Sequence, residues 1–166
     1  QGYRDGSAWA RGQAWGVYGT ALAYKYTRKG EYIEDFRHVT EYFLEHLPHD
    51  LVPYWDLEFG DGSGEPKDSS SASIAACGLL EMAKYMGAEE GAYYREIAGK
   101  IMKSLTENYR VKSLEESNGL VLHSTYSKKS PYNTCTPEGV DECNIWGDYF
   151  YMEALTRLWG EWNPYW

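Results

Sequence analysis

The feature that most constrains this chain is an alternation among its helix-forming segments. Five stretches carry apolar residues at the three- and four-residue spacing of a single helix face. They cover about Ser7–Tyr26, Glu31–Leu47, Asp68–Met86, Glu89–Tyr109 and Ile145–Trp159. The second and fourth are charged along one side, through Glu31, Glu34, Arg37, Glu41 and Glu45 and through Glu89, Arg95, Glu96, Lys100 and Lys103. They read as solvent-facing amphipathic helices. The first and third are built from Ala, Gly and Ser with little charge. Inside the first, Gly12, Gly16 and Gly19 should each cost about 1 kcal/mol relative to Ala. That expense suits close backbone packing or ligand approach, and it predicts an inner, outer, inner, outer, inner order.

The connections alternate as well. Segments one and two are joined around Lys29-Gly30, and three and four by Gly87-Ala88, whereas 48–67 and 110–144 are long. In antiparallel helical hairpins, such an alternation gathers the long connections at one end, and long loops in compact domains are usually functional. The expected architecture is an all-α array of layered hairpins, about five to six helices closing toward a toroid, with a loop-built pocket at one end. Within the loops, 120–126 follows an Asn-Gly turn signal and is expected to form a short strand.

Composition excludes several functions. With 25 acidic against 16 basic residues the chain carries −9, and it has no Lys/Arg block of five, so a nucleic-acid surface is not expected. The uncharged run Gly12 to Tyr24 is too short to span a bilayer, so no membrane partner is expected either. The aromatic share of 16% suits stacking on sugar rings.

Candidate chemistry is sparse. Arg11 and Trp15 lie four apart on one face of an inner helix, offering a forked cation and a flat ring. The alternative is a structural arginine salt-bridged beside a core tryptophan. Ser124, Ser127 and Lys129 together could hold an anion, or could form an ordinary polar loop. The glycine-rich stretch 56–64 fits neither a calcium loop nor a phosphate cradle and reads as a solvated, turn-rich loop. His38, His46, His49 and His123 show no zinc spacing with Cys135 and Cys143, so no metal is expected. A Cys135–Cys143 disulfide is open, with reduced thiols the default. Asp68 and Ser69 read as a helix N-cap.

Three motifs carry a family resemblance. Asp-Gly-Ser-Ala-Trp-Ala-Arg-Gly-Gln-Ala-Trp-Gly-Val-Tyr-Gly (5–19) resembles a signature of the unsaturated glucuronyl hydrolases, glycoside hydrolase family 88. So do Pro-Lys-Asp-Ser-Ser-Ser-Ala-Ser-Ile-Ala-Ala-Cys-Gly-Leu-Leu-Glu-Met (66–82) and Asn-Ile-Trp-Gly-Asp-Tyr-Phe-Tyr-Met-Glu-Ala-Leu (144–155). The resemblance implies a twelve-helix (α/α)6 barrel of which residues 1–166 form the C-terminal half, with the N-terminal half absent from the chain. It also implies a hydrolase without cofactor, acting on unsaturated glucuronyl oligosaccharides that polysaccharide lyases release from glycosaminoglycans. In such enzymes an aspartate protonates C4 of the vinyl ether, water adds at C5, and the hemiketal opens. This differs from the paired carboxylates of ordinary glycosidases.

Carried over residue by residue, the resemblance gives Gln1, Arg11 and Trp15 roles in holding the unsaturated uronate. It gives Ser124, Ser127 and Lys129 a role in recognising a 6-sulfate on the neighbouring amino sugar, with Tyr126 touching that second sugar. Asp5, Asp68 and Asp148 do not match the family's catalytic aspartates, so no catalytic residue is expected in this chain. Two alternatives remain: an unsaturated rhamnogalacturonyl hydrolase of family 105, and a non-catalytic sugar-binding fragment. Exposed inner aromatics would promote self-association or pairing with the missing half. The expected location is cytoplasmic, with secretion left open.

Overall fold

The computed structural model describes residues 2–163. Five α-helices follow in order: α1 (Ala10–Thr27), α2 (Glu31–Glu45), α3 (Ser69–Met82), α4 (Ala88–Ser104) and α5 (Ile145–Trp159). The three inner helices are α1, α3 and α5, with α2 packed on α1 and α4 packed on α3. Every residue of α3 is buried, because its Ser and Ala side chains leave room for neighbours on all sides. Two glycines show what this packing demands. A Cβ on Gly78 would lie 2.8 Å from the backbone N and Cα of Tyr18, so α1 and α3 touch backbone to backbone there. One on Gly16 would lie 2.9 Å from Val39 Cγ1, which seats α2 against α1. The outer helices are joined by Arg37, whose Nε and Nη2 donate to the two oxygens of Glu90 at 2.8 and 2.9 Å.

The boundaries differ from expectation where the loops intervene. Helix α1 starts three residues later than the Asp5-Gly6-Ser7 signal suggests. Ser7 bonds Asp56 at 2.7 Å instead of capping, and the Ala10 N–H is taken by the Trp55 carbonyl at 3.1 Å. At the other end Arg28, not Gly30, adopts the left-handed conformation, with φ 58°. Its guanidinium stacks over Tyr85 at 4.5 Å, a compensation glycine could not provide. Beyond α4, Leu105–Tyr109 widens into a π turn, and the Tyr109 hydroxyl donates to Asp50 in the first long loop.

The strand expected over 120–126 does not form. Val121 pairs with Arg110 and Ser124 with Glu142 as isolated bridges, and His123 between them has φ 62°, which breaks any extended run. The 56–64 loop is only partly solvated. Asp56 is fully buried, accepting from the Tyr3 N–H at 2.8 Å and from Ser7, while residues 60–64 are exposed. Both long connections gather at the N-terminal ends of α1, α3 and α5, as the alternation predicts: Ser69 N–H reaches His123 O at 3.1 Å, and Leu57 N–H reaches Ala8 O at 2.8 Å.

Toward the C-terminal ends of α3 and α5 the inner helices share a buried polar network. Tyr18 of α1 donates to Glu153 of α5 at 2.6 Å, and Arg157 donates from Nε to the same Glu153 oxygen at 2.8 Å. Arg157 also pairs with Glu81 of α3, which accepts from Tyr85 at 2.7 Å. Burial pushes the Glu81 carboxyl up, but Tyr85 and Arg157 outweigh it and leave the group below its ordinary value.

Two stability predictions follow from the packing. Gly78→Ala should destabilise by about 2 kcal/mol or more, since backbone cannot step aside. Gly99→Ala, where a Cβ meets open space, should stabilise by up to about 1 kcal/mol. Denaturant midpoints distinguish them. Because the Glu81 value is lowered on folding, its contribution is present above the unfolded carboxylate range, about pH 4 to 5, and is lost as pH falls below it. Glu81→Gln should therefore lower stability at pH 7 and flatten its acid dependence; a parallel acid profile would contradict this.

Candidate functional site

The N-terminal ends of the inner helices converge on Arg11. From the first turn of α1, its Nη1 lies within bonding distance of three acceptors: Asp68 Oδ2 at 3.1 Å, Ser70 Oγ at 3.1 Å and Thr125 O at 2.8 Å. Its Nη2 donates to Tyr126 O at 2.9 Å. The cradle joins α1, the start of α3 and the second long loop. Arg11 is only 3% exposed and Asp68 0%, so this is a desolvated ion pair. Asp68 stands at the N-cap position of α3, yet its side chain makes no capping bond. Its Oδ1 accepts from Ser70 Oγ at 2.5 Å and from the Thr125 N–H at 3.3 Å. Burial pushes the Asp68 carboxyl up, opposed by the Arg11 charge and these bonds; the net direction is upward.

Aromatic rings wall the guanidinium. Its carbon lies 4.9 Å from the Trp9 ring centre, 5.3 Å from Trp146 and 5.9 Å from Tyr126. Tyr126 and Trp146 are parallel to within 4°, with centres 5.4 Å apart. One turn along α1, Trp15 meets Phe150 of α5 edge-on at 5.1 Å. The Trp146 ring is placed by the first turn of α5, where Asn144 caps the helix by accepting from the Gly147 N–H at 2.8 Å. Such a site can bind a planar anion through residual guanidinium donors and present flat faces to a sugar.

The candidate residues from the sequence are only partly brought together. Gln1 lies outside the described residues. Arg11, Trp15 and Tyr126 sit on or beside the cradle. Arg11 satisfies the structural alternative, since it is paired with Asp68, but not completely. Of its five N–H groups, the Nε–H and one on Nη2 have no hydrogen bond among the described residues. Ser124 departs from expectation: it is fully buried and its hydroxyl is shared with Ser69 at 2.8 Å, so it shapes the loop from within rather than presenting a donor outward. Ser127 lies 3.4 Å from Thr136 O, and exposed Lys129 donates to Asn133 O at 3.2 Å; neither takes part in the cradle. Their loop is tied to the start of the chain through Asn133, whose side-chain amide donates to Gly2 O at 2.9 Å.

Three participants escaped the sequence reading. Trp9 and Trp146 lie inside recognised motifs but carry no distinguishing pattern, and Asp68 has the signature of a cap. Asp148 accepts from the Leu120 and Val121 N–H groups at 2.9 and 3.1 Å, which makes it a loop anchor. The described residues contain no cluster of His, Cys, Asp or Glu able to hold a metal, and all three cysteines are free thiols.

An all-α stack of hairpins whose inner helix ends hold a polar, aromatic-lined site is a portion of an α/α barrel. Over its whole length the chain is similar to unsaturated glucuronyl hydrolases, although no family model matches it. It is 47% identical to the unsaturated chondroitin disaccharide hydrolase of Streptococcus pyogenes serotype M1 over 168 aligned positions, covering 100% of this chain and 41% of that protein. To the unsaturated glucuronyl hydrolase of Bacillus sp. (strain GL1) it is 36% identical, covering 100% of this chain and 43% of the relative. The crystal structure of an aspartate-to-asparagine mutant of the Streptococcus agalactiae unsaturated glucuronyl hydrolase, complexed with dGlcA-GalNAc6S, superposes with a TM-score of 0.90 at 45% identity. That match covers 100% of this chain and 43% of the other. The chain thus spans about two fifths of the length of these relatives.

Replacing Arg11 with Met should strand the Asp68 carboxylate without its partner. The expected loss is about 3–5 kcal/mol of stability, read from denaturant unfolding. A loss below 1 kcal/mol would mean that the pair is not desolvated in solution.

Proposed function

We propose that this chain supplies the substrate-binding half of an unsaturated glucuronyl hydrolase. Its substrate would be the unsaturated disaccharides that lyases release from chondroitin or a related glycosaminoglycan. The observation that supports this most is the cradled Arg11 in a chain that is 44–47% identical over its whole length to chondroitin disaccharide hydrolases. Arg11 would offer its two remaining N–H groups to the uronate carboxylate, Trp15 would stack on the ring, and Gln1 would add a polar contact. Tyr126, Ser127 and Lys129 would meet the second sugar. The Streptococcus agalactiae complex with dGlcA-GalNAc6S favours a sulfated amino sugar at that position.

The chemical step, hydration of the C4=C5 vinyl ether, belongs to aspartates that this chain does not contain at matching positions. Residues 1–166 would form the C-terminal half of one barrel domain. An exposed apolar stripe on α5, through Ile145, Met152 and Trp159, supports an interface with the remaining barrel or a second copy. No helix among the described residues is long and apolar enough to cross a membrane. A cytoplasmic setting remains part of the proposal.

The test uses the full-length protein that carries this chain. It should consume unsaturated chondroitin disaccharide faster than the rhamnogalacturonan-derived one, followed by loss of the vinyl-ether absorbance. Residues 1–166 alone should give no turnover; robust turnover by them would contradict the division of labour. Lys129→Ala should lower the preference for 6-sulfated over unsulfated substrate by about threefold, the scale of one exposed charge contact.

A further inference from the structure

Arg11 has two edges, and the structure treats them differently. The end bearing Nη1 and Nη2 is taken up by Asp68, Ser70 and the carbonyls of Thr125 and Tyr126. On the side edge the Nε–H has no hydrogen bond among the described residues, and Nη2 makes only the one to Tyr126 O, which leaves it a second N–H to offer. That side edge is itself a carboxylate fork, since Arg37 uses Nε and Nη2 to grip both oxygens of Glu90 in this same protein at 2.8 and 2.9 Å. A fork is selective only while its plane is fixed.

What fixes it is Asp68. One carboxylate oxygen holds Arg11, and the other holds Ser70 Oγ and the Thr125 N–H. Thr125 in turn presents its own carbonyl to Arg11, and the next carbonyl, of Tyr126, completes the grip. Asp68 is therefore the node at which the orientation of the guanidinium and the position of the loop carrying Tyr126, Ser127 and Lys129 become one arrangement. We propose that Asp68 is a positioning residue for uronate recognition: it locks the end of Arg11 so that the side edge meets the sugar carboxylate, and it ties that subsite to the second-sugar loop. The inference rests on the assignment of Arg11 to the uronate proposed above.

The choice of variant follows from the donor inventory. A carboxylate accepts on both oxygens, whereas asparagine accepts on one side and donates on the other. In Asp68→Asn the amide must either face Arg11 Nη1, donor against donor, or face the Thr125 N–H, donor against donor. One of the two anchors is lost whichever way it turns. The variant also leaves the Arg11 charge less balanced, which would draw any anion closer, but that attraction has no direction and does not restore the fork.

The experiment compares the unsaturated chondroitin disaccharide with its uronate methyl ester, which keeps the ring and loses the charge. Both are assayed by kcat/KM in the full-length protein. In Asp68→Asn the preference for the free acid over the ester should fall about tenfold, the scale of a misdirected charge-assisted hydrogen bond. The ester's own kcat/KM should fall less than the acid's, because the ester shares only the loosened second-sugar loop and not the misdirected fork. Ser70→Ala, which loosens the same node more gently and spares every charge, should shift the ratio in the same direction by about threefold. It carries the test if Asp68→Asn does not fold. An unchanged or raised ratio, or equal losses for acid and ester, would overturn the proposal. Arg11→Ala separates the two layers. If it leaves the acid-to-ester ratio untouched, the Arg11 assignment itself fails. If it collapses the ratio while both Asp68→Asn and Ser70→Ala leave it intact, only the positioning role fails.

Discussion

A buried arginine must have its charge answered, and in this chain the answer determines how three segments meet. Arg11 and Asp68 are both removed from water, so the pair is tolerated only with further hydrogen bonds around it. Ser70 supplies part of that, and the loop supplies the rest through the carbonyls of Thr125 and Tyr126. The second long loop is therefore held down by the same requirement that keeps the cation inside. The ends of α1 and α3 and the 125–126 backbone form one unit, flanked by the rings of Trp9, Tyr126 and Trp146.

The second buried network plays a different part. Tyr18, Glu153, Arg157 and Glu81 tie α1, α3 and α5 together away from the loops, with no described link to the cradle. Between these two polar levels the helices touch through Gly78 against the Tyr18 backbone and through small side chains of α3. Close approach sets the spacing, and the polar levels set the register. On α5 an apolar stripe through Ile145, Met152 and Trp159 stays exposed outside this packing.

Much of this was legible in the sequence, because it rested on local periodicity. The inner and outer helices differ in charge, and that difference survives folding: α2 and α4 lie outside, while α3 is buried entirely. The approximate span of α5 was readable from its apolar periodicity, and the structure adds that Asn144 caps its start by the ordinary side-chain bond. Arg11 and Trp15 were visible as a pair on one face. What was not legible depends on contacts between distant segments. Asp68 looked like a cap, and only the arrival of Arg11 from 57 positions upstream shows that its carboxylate is spent elsewhere. Ser124 looked like an anion donor until Ser69 claimed its hydroxyl. The extended run over 120–126 failed at His123, whose positive φ falls between bridges to two different partners. No local pattern announces Trp146 as the ring that stacks on Tyr126.

The central claim is that the unused edge of Arg11 meets the sugar carboxylate while the opposite edge stays locked. Nitrogen-15 NMR of the arginine Nε–H in the full-length protein tests it most directly, with Arg11→Lys to assign the signal. On titration with the unsaturated disaccharide, the Arg11 Nε–H resonance should shift and its exchange with water should slow. A resonance that stays in place while the sugar demonstrably binds would contradict the account.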